Sequence, residues 1–228
     1  MRKARMHEIS YILFRAAVQI WNVVYDLRFG ALLRGDLATR YADLGAYDTT
    51  NTPYLALSLL FRGEKITADD VLVDVGCGKG RVINWWLNKG ISNAIIGLEL
   101  DPEVAARTRD RLQRYPNVTI ISGDAVENLP AAGTLFLVAN PFDREVVERF
   151  KERVLELQRP DRTRIFYYNS ESVDIFESDP RFIVVPRKII PERCTAMTRR
   201  FLERFLEPTV VIRLTSNEEA RASRQGKP

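Results

Sequence analysis

The stretch Asp74-Val75-Gly76-Cys77-Gly78-Lys79-Gly80 ends a short apolar strand, predicted over 71–75, in a loop with glycine at every second position. Glycine tolerates tight turns and lets a ligand approach the backbone closely. The helix predicted over 80–89 would present its unpaired N–H groups to that ligand. The stretch therefore predicts a strand, a ligand-binding loop and a helix, which is the first unit of a doubly wound α/β fold.

The chain that follows keeps alternating between strand and helix patterns. Short apolar strands alternating with helices indicate right-handed crossovers and a mostly parallel sheet. Two late strands have no clear long helix between them and favour an antiparallel edge pair. We predict a Rossmann-like, doubly wound, mostly parallel seven-stranded sheet with an antiparallel C-terminal strand and an extra N-terminal helix. The later strands are predicted at 94–100, 118–122, 134–139, 164–169, 182–190 and 209–214.

Length and composition favour one soluble domain. The 228 residues suit a single core with a small appendage. We expect an amphipathic helix over 1–30, the α/β domain over 31–215 and a disordered polar tail over 216–228. Two cysteines make no disulfide framework, so a cytoplasmic location is expected. The only histidine, His7, argues against a Ser-His-Asp triad and a His-rich metal site, and we predict no metal.

The glycine spacing discriminates between cofactors. A dinucleotide loop, G-x-G-x-x-G, would place Arg81 where close packing requires a small residue. The alternative D-x-G-x-G-x-G fits at every position and resembles the first motif of class I methyltransferases that use S-adenosylmethionine (SAM). The resemblance runs from Tyr47 to Asn169 and is closest to small bacterial methyltransferases with an N-P-F fourth motif. A looser resemblance is to the Dot1-type protein lysine methyltransferases. The resemblance to class I methyltransferases implies SAM as the cofactor.

Acidic residues follow two further strands and complete the expected cofactor site. A carboxylate at Glu99 can accept two hydrogen bonds from a ribose diol. The resemblance implies that Asp124 meets the adenine amino group, and we expect Cys77 to contribute its backbone. The alternative is that the glycines only make a turn and the acids lie on the surface or in turns. The predicted cofactor residues are Asp74, Gly76, Cys77, Gly78, Gly80, Glu99, Asp124 and Ala125.

The tripeptide Asn140-Pro141-Phe142 follows the fourth strand. It resembles the [D/N/S]-P-P-[Y/F/W] motif of amino-methyltransferases. The resemblance implies that the Asn140 side chain and the Pro141 carbonyl accept hydrogen bonds from the target nitrogen, while Phe142 packs against it. The second proline is missing, so Asn140-Pro141 ending a strand stays an alternative. We predict methyl transfer to a nitrogen on a protein or small molecule.

Two residues at the end of the fifth strand, and two further functions, are additional hypotheses. Tyr168 and Asn169 are predicted to contact the acceptor, with Tyr167 pointing the other way by strand alternation. A second hypothesis is an RNA methyltransferase, for which Arg199-Arg200 and scattered arginines give modest support. A third is a non-catalytic SAM-binding or membrane-associated interaction module.

The N-terminal helix is apolar on two sides. A polar seam at Arg15, Gln19, Asn22 and Asp26 separates an aliphatic face from an aromatic one. Such a helix is either wedged into the fold or meets a partner. With Arg2, Lys3 and Arg5 at its start, one hypothesis places the aromatic face on a membrane surface or in a homodimer. The aliphatic face comprises Ile9, Ile12, Leu13, Ala16, Ile20, Val24 and Leu27, and the aromatic face Tyr11, Phe14, Val18, Trp21 and Tyr25.

Overall fold

A seven-stranded sheet forms the centre of the molecule. The computed structural model describes residues 2–157, 160 and 162–215, and the tail expected over 216–228 lies outside the described residues. The central strands of the sheet are apolar because they are buried on both faces, whereas the strands at its two edges are partly exposed. The strands are β1 (Leu72–Val75), β2 (Ile95–Glu99), β3 (Val118–Ser122), β4 (Leu135–Val138), β5 (Arg164–Tyr168), β6 (Phe182–Pro186) and β7 (Thr209–Leu214).

The strand order is β3-β2-β1-β4-β5-β7-β6. β1 pairs in parallel with both β2 and β4, and β7 runs antiparallel between β5 and β6. The predicted mixed sheet with one antiparallel C-terminal strand is therefore confirmed. The chain reverses its winding direction between β1 and β4, and a cleft opens at the carboxyl ends of the strands at such a point.

Seven helices surround the sheet in the described residues, together with a 3₁₀ turn at Ala42–Leu44. One of them, α7, lies between the two late strands, where the sequence predicted no clear helix. Thr195 caps it by accepting a hydrogen bond from the Thr198 N–H at 3.1 Å. Phe201 and Leu202 are buried on its inner side. The helices are α1 (Arg2–Arg28), α2 (Tyr54–Leu60), α3 (Arg81–Asn88), α4 (Pro102–Leu112), α5 (Arg144–Leu157), α6 (Asp174–Glu177) and α7 (Ala196–Phe205).

The aromatic face of α1 packs inside the domain. The Tyr11 and Phe201 rings lie 5.6 Å apart, and Phe14 meets Phe205 edge-on at the same distance. α7 therefore covers this face at Tyr11 and Phe14, whereas Trp21 of the same face is 36% exposed. A contact of the aromatic face with a membrane or a second subunit stays a prediction. The aliphatic face is the one that points outward, with Leu13 64% exposed. None of the helices in the described residues is long and apolar enough to cross a membrane.

Two residues of the polar seam, Asn22 and Asp26, anchor α1. Asp26 is fully buried and pairs with Arg81 at 2.7 Å, at the first turn of α3. Its carboxylate also accepts a hydrogen bond from the Tyr54 hydroxyl at 2.9 Å and one from the Leu33 N–H at 3.3 Å. Asn22, also buried, accepts from the Tyr54 N–H at 3.1 Å. The N-terminal helix is thus tied to the helix that follows the glycine loop.

Candidate functional site

The carboxyl ends of β1, β2 and β4 open into a cavity of about 390 Å³. The loop over residues 37–52 closes another side of it. A volume of this size lies in the range of about 300–1,000 Å³ that is typical of small-molecule sites. The cavity sits at the point where the strand order reverses, which is where doubly wound sheets bind their ligands.

The glycine loop is shaped by the residues around it. Gly76 and Gly78 have φ values of 73° and 50°, in the left-handed region that favours glycine. A Cβ atom on Gly76 would lie 2.5 Å from the Pro141 Cβ, and one on Gly78 would lie 2.5 Å from the Thr49 Cγ2. The loop is therefore held between the N-P-F segment and the 37–52 loop, which is more than a simple turn requires.

Asp74 points an unsatisfied carboxylate oxygen at the cavity. The residue is 2% exposed, lines the cavity, and its Oδ2 has no hydrogen-bond partner among the described residues. Burial, and then the nearby charge of Glu99, raise the pKa of Asp74 to about 8. A buried acid of this kind lacks a donor, and a cationic amino group of a ligand would supply one.

Glu99 holds the loop and still faces the cavity. Its Oε2 accepts a hydrogen bond from the Gly78 N–H at 2.7 Å, and its Oε1 accepts one from the Asp101 N–H at 2.9 Å. Burial raises the pKa of Glu99, opposed by these backbone hydrogen bonds. Each oxygen keeps a second lone pair, so acceptor capacity for a ribose diol remains.

The other predicted cofactor residues divide into two groups. Gly76, Cys77, Asp124 and Ala125 line the cavity with Asp74 and Glu99, whereas Gly78 and Gly80 do not and serve to shape the loop. The Asp124 Oδ1 accepts a hydrogen bond from the Val126 N–H at 2.6 Å, and its Oδ2 pairs with Arg149 at 3.1 Å. A contact from Asp124 to adenine stays a prediction.

The N-P-F segment lies on the same cavity. Asn140 has φ 50°, a left-handed conformation that is uncommon outside glycine, and its Oδ1 accepts a hydrogen bond from the Tyr167 hydroxyl at 3.3 Å. The Pro141 carbonyl accepts from the Tyr47 N–H at 3.0 Å. Both acceptor groups therefore already hold one partner and keep one lone pair each. Phe142 lines the cavity and packs against the core near Phe150.

The two tyrosines of β5 correct the predicted orientation. Tyr167 is the one that reaches Asn140, although strand alternation was taken to point it away. Tyr168 faces the opposite side of the sheet, where its hydroxyl accepts a hydrogen bond from the Glu207 N–H at 3.3 Å. Neither Tyr168 nor Asn169 lines the cavity. Strand alternation predicts that neighbouring side chains point to opposite faces of the sheet, but it does not predict which face carries the site.

The 37–52 loop contributes more than the sequence indicated. Ala46 forms a β-bridge with Phe142, and the Asp143 N–H donates to the Gly45 carbonyl at 2.8 Å. Tyr47 and Thr49 line the cavity, whereas Tyr54, at the start of α2, is fully buried and does not. The loop over 37–46 has no motif that would have indicated this role.

Residues 72–161 match a family model described as a methyltransferase domain. The matched segment contains the glycine loop, Glu99, Asp124 and the N-P-F segment. The match covers less than half of the chain and identifies a methyltransferase domain within residues 72–161. The cofactor of the methyltransferase domain is SAM, and the free Asp74 carboxylate, the Glu99 acceptors and the cavity volume fit that molecule.

A curated relative of the chain is named as a ribosomal RNA methyltransferase. Ribosomal RNA small subunit methyltransferase A of Thermotoga maritima is 25% identical over 114 residues, which are 46% of this chain and 40% of that protein. The chain thus matches well under half the length of this curated relative.

Solved structures share the fold of the methyltransferase domain. An RNA methyltransferase from Salinibacter ruber, in complex with S-adenosyl-L-homocysteine, has a TM-score of 0.50 at 18% identity, covering 74% of this chain and 95% of that chain. An O-methyltransferase from Klebsiella pneumoniae, described only as a proposed one, has a TM-score of 0.51 at 15% identity, covering 87% and 90%. These likenesses show the fold alone.

Proposed function

We propose that the protein transfers a methyl group from SAM to a nitrogen atom on a protein or small molecule. The observation that carries the proposal is the shared cavity. The N-P-F segment packs on the glycine loop so closely that Gly76 has no room for a Cβ beside Pro141. The N-P-F segment, which is assigned to the acceptor, therefore faces the same space as Asp74 and Glu99, which are assigned to the cofactor.

The residues divide the work of such a reaction between them. Bound SAM supplies a methyl group on a sulfonium, an activated donor with a good leaving group. Asp74 would pair with a cationic amino group and Glu99 would hold a diol. Asn140 Oδ1 and the Pro141 carbonyl would orient the acceptor nitrogen, and Phe142 would exclude water. Positioning and exclusion of water need no histidine.

A second candidate has its own support. The curated relative named above acts on ribosomal RNA, which favours an RNA acceptor as the alternative. The resemblance of the N-P-F segment to amino-methyltransferases, and the looser one to Dot1-type enzymes, favour an amine on a protein. A non-catalytic SAM-binding module is the third candidate, and measured turnover would exclude it.

Replacing Asn140 by alanine tests the acceptor assignment. We expect Asn140→Ala to lower the methylation rate by about 100-fold, because a small misplacement of the reacting nitrogen has effects of that order. SAM affinity should change little. The measurement is transfer of a radiolabelled methyl group to the protein, RNA and small-molecule fractions of a lysate, with SAM affinity from calorimetry.

Asn169→Ala is the matched control, since Asn169 also has a positive φ, 53°, but lies outside the cavity. It should keep the wild-type rate. Equal rates for Asn140→Ala and wild type would return Asn140-Pro141 to the role of a strand end. A wild-type protein that binds NADH and not SAM would overturn the proposed function itself.

A further inference from the structure

The cavity carries the opposite charge to the chain. The protein has a formal net charge of +4. Arg81 and Arg149 are the basic residues in the lining of the cavity, and each is already paired with a carboxylate: Arg81 with Asp26 at 2.7 Å and Arg149 with Asp124 at 3.1 Å. The acidic residues of the lining are Asp43, Asp48, Asp74, Glu99, Asp101, Asp124, Asp143 and Glu145.

Three of these acids are exposed and unneutralised. Asp43 and Asp48 lie in the 37–52 loop and Glu145 lies in the first turn of α5. None of the three forms an ion pair with any side chain in the part of the chain that the structure describes. In contrast, Asp101 is paired with Arg40 at 3.1 Å. The free negative charge therefore comes from two separate elements of the cavity wall.

Aromatic rings accompany these acids. Tyr47 lines the cavity and is 46% exposed, and Tyr41 and Phe142 are partly exposed in the same lining. The hydrogen bond from the Tyr47 N–H to the Pro141 carbonyl holds the Tyr47 backbone beside the N-P-F segment. Aromatic faces attract ammonium groups, and carboxylates in a cleft raise the local concentration of cations.

We propose that the acceptor is the side-chain amine of a lysine in a basic polypeptide segment. This rests on the proposed function and names its substrate class. Several free carboxylates suit a segment with several cations, whereas an RNA backbone would need unpaired basic residues at the same place. In the transfer the amine, having lost a proton to solvent, forms the N–C bond with its lone pair, and the S–C electron pair stays on sulfur.

The test compares a lysine-rich peptide with an RNA oligonucleotide of equal length. Anisotropy of each fluorescent probe is measured with the protein in the presence of S-adenosylhomocysteine. The double variant Asp43→Asn/Glu145→Gln should bind the peptide about 10-fold more weakly, as loss of two favourable charge interactions predicts. The control Asp110→Asn/Glu203→Gln removes two exposed acids that do not line the cavity and should bind like wild type.

Methyl transfer to the same two probes separates the possible failures. Transfer to the peptide, with a raised KM in the Asp43→Asn/Glu145→Gln variant, supports the inference. Transfer to RNA, or tighter binding of RNA than of peptide, overturns it and leaves the proposed function intact. A wild-type protein that does not bind SAM in calorimetry fails the proposed function instead.

The aliphatic face of α1 is exposed. Ile9, Leu13 and Ile20 are 52%, 64% and 65% exposed. The face extends from Ile9 to Leu27, about 27 Å at the rise of an α-helix. A continuous exposed apolar strip of this length exceeds the scattered apolar residues of an ordinary surface.

The charges near the aliphatic face indicate what covers it. The acids of α1, Glu8 and Asp26, are paired with Arg204 and Arg81, which leaves no free acid in the part of α1 with described side chains. Arg15 and Arg28 are exposed, and the sequence adds three basic residues within positions 2–5. We propose that this face lies flat on an anionic lipid surface, with its apolar side chains in the interface and its cations on the headgroups.

Sedimentation with vesicles tests this contact. The protein should pellet with vesicles of phosphatidylcholine and phosphatidylglycerol and less with phosphatidylcholine alone. Ile12→Ser/Ile20→Ser should abolish pelleting, and Ile183→Ser/Val185→Ser, which removes exposed apolar residues of β6, should not. Absence of wild-type pelleting would overturn the proposal. So would a dimer that Ile12→Ser/Ile20→Ser converts to monomer in analytical ultracentrifugation, since a second copy would then be the occupant.

Discussion

Replacing Asp26 by alanine is expected to lower the free energy of unfolding by about 3–5 kcal/mol, the usual effect of breaking a buried ion pair. Arg81 would remain buried without its partner, and the Tyr54 hydroxyl and Leu33 N–H would lose their acceptor. The measurement is urea unfolding followed by circular dichroism. SAM affinity should fall as well, because Arg81 begins α3 and lines the cavity.

A surface pair on the same helix provides the control. Glu8 pairs with Arg204 at 2.9 Å, and both side chains are more than half exposed. Glu8→Ala should leave the unfolding midpoint nearly unchanged, since solvent screens such pairs. The double variant Asp26→Leu/Arg81→Leu should recover part of the lost stability, because it removes the unpaired charge. An Asp26→Ala protein as stable as Glu8→Ala would show that the pair does not hold α1 to the domain.

Local patterns predicted most of the fold. Each parallel strand is a short apolar run next to a turn or cap, so β1 to β5 begin and end within two residues of the predicted bounds. Helix caps are equally local: Asp101 caps α4, and its Oδ1 accepts a hydrogen bond from the Glu103 N–H at 2.8 Å. The glycine loop is local in part, because its left-handed backbone at Gly76 and Gly78 favours glycine at these positions.

Contacts between distant segments could not be predicted in this way. The glycine spacing made Arg81 only an argument against a dinucleotide loop, whereas the structure pairs it with Asp26, 55 residues away. The sequence indicated two apolar faces on α1. Which of them is covered depends on α7, whose Phe201 and Phe205 rings lie near the C-terminal end of the sequence. The side of the sheet to which Tyr167 points is likewise set by packing.

The same limit applies to the candidate site. Asp74, Glu99 and Asn140 line one cavity, as strand order predicts for residues at the carboxyl ends of β1, β2 and β4. The acids of the 37–52 loop were not predicted, because that loop lacks a motif and joins the cavity through backbone contacts such as the Tyr47 N–H to the Pro141 carbonyl. The acids proposed to select the acceptor are therefore the cavity residues that the sequence motifs indicate least.

Asp74 should affect stability and binding in opposite directions. Its pKa is raised from the usual carboxyl range to about 8 in the ligand-free protein, chiefly by burial. Folding therefore favours the protonated acid. The stabilisation from this group is complete below about pH 4 and is lost as pH rises through about 8, because the unfolded chain then releases the proton more readily.

Asp74→Asn removes this titration. At pH 9 the ligand-free variant should be more stable than wild type by about 1–3 kcal/mol, the order of the penalty for an unsatisfied buried polar group. Its loss of stability between pH 6 and pH 9 should also be smaller. At pH 7.5 the variant should lose SAM binding, because no carboxylate remains to pair with a cationic amino group. Calorimetry and thermal unfolding on the same samples measure both effects.

Asp70→Asn is the contrast: Asp70 is also buried but pairs with Arg164 at 2.8 Å, so this change should destabilise the protein. If Asp74→Asn binds SAM with wild-type affinity, the carboxylate does not hold the cofactor, whatever the variant does to stability.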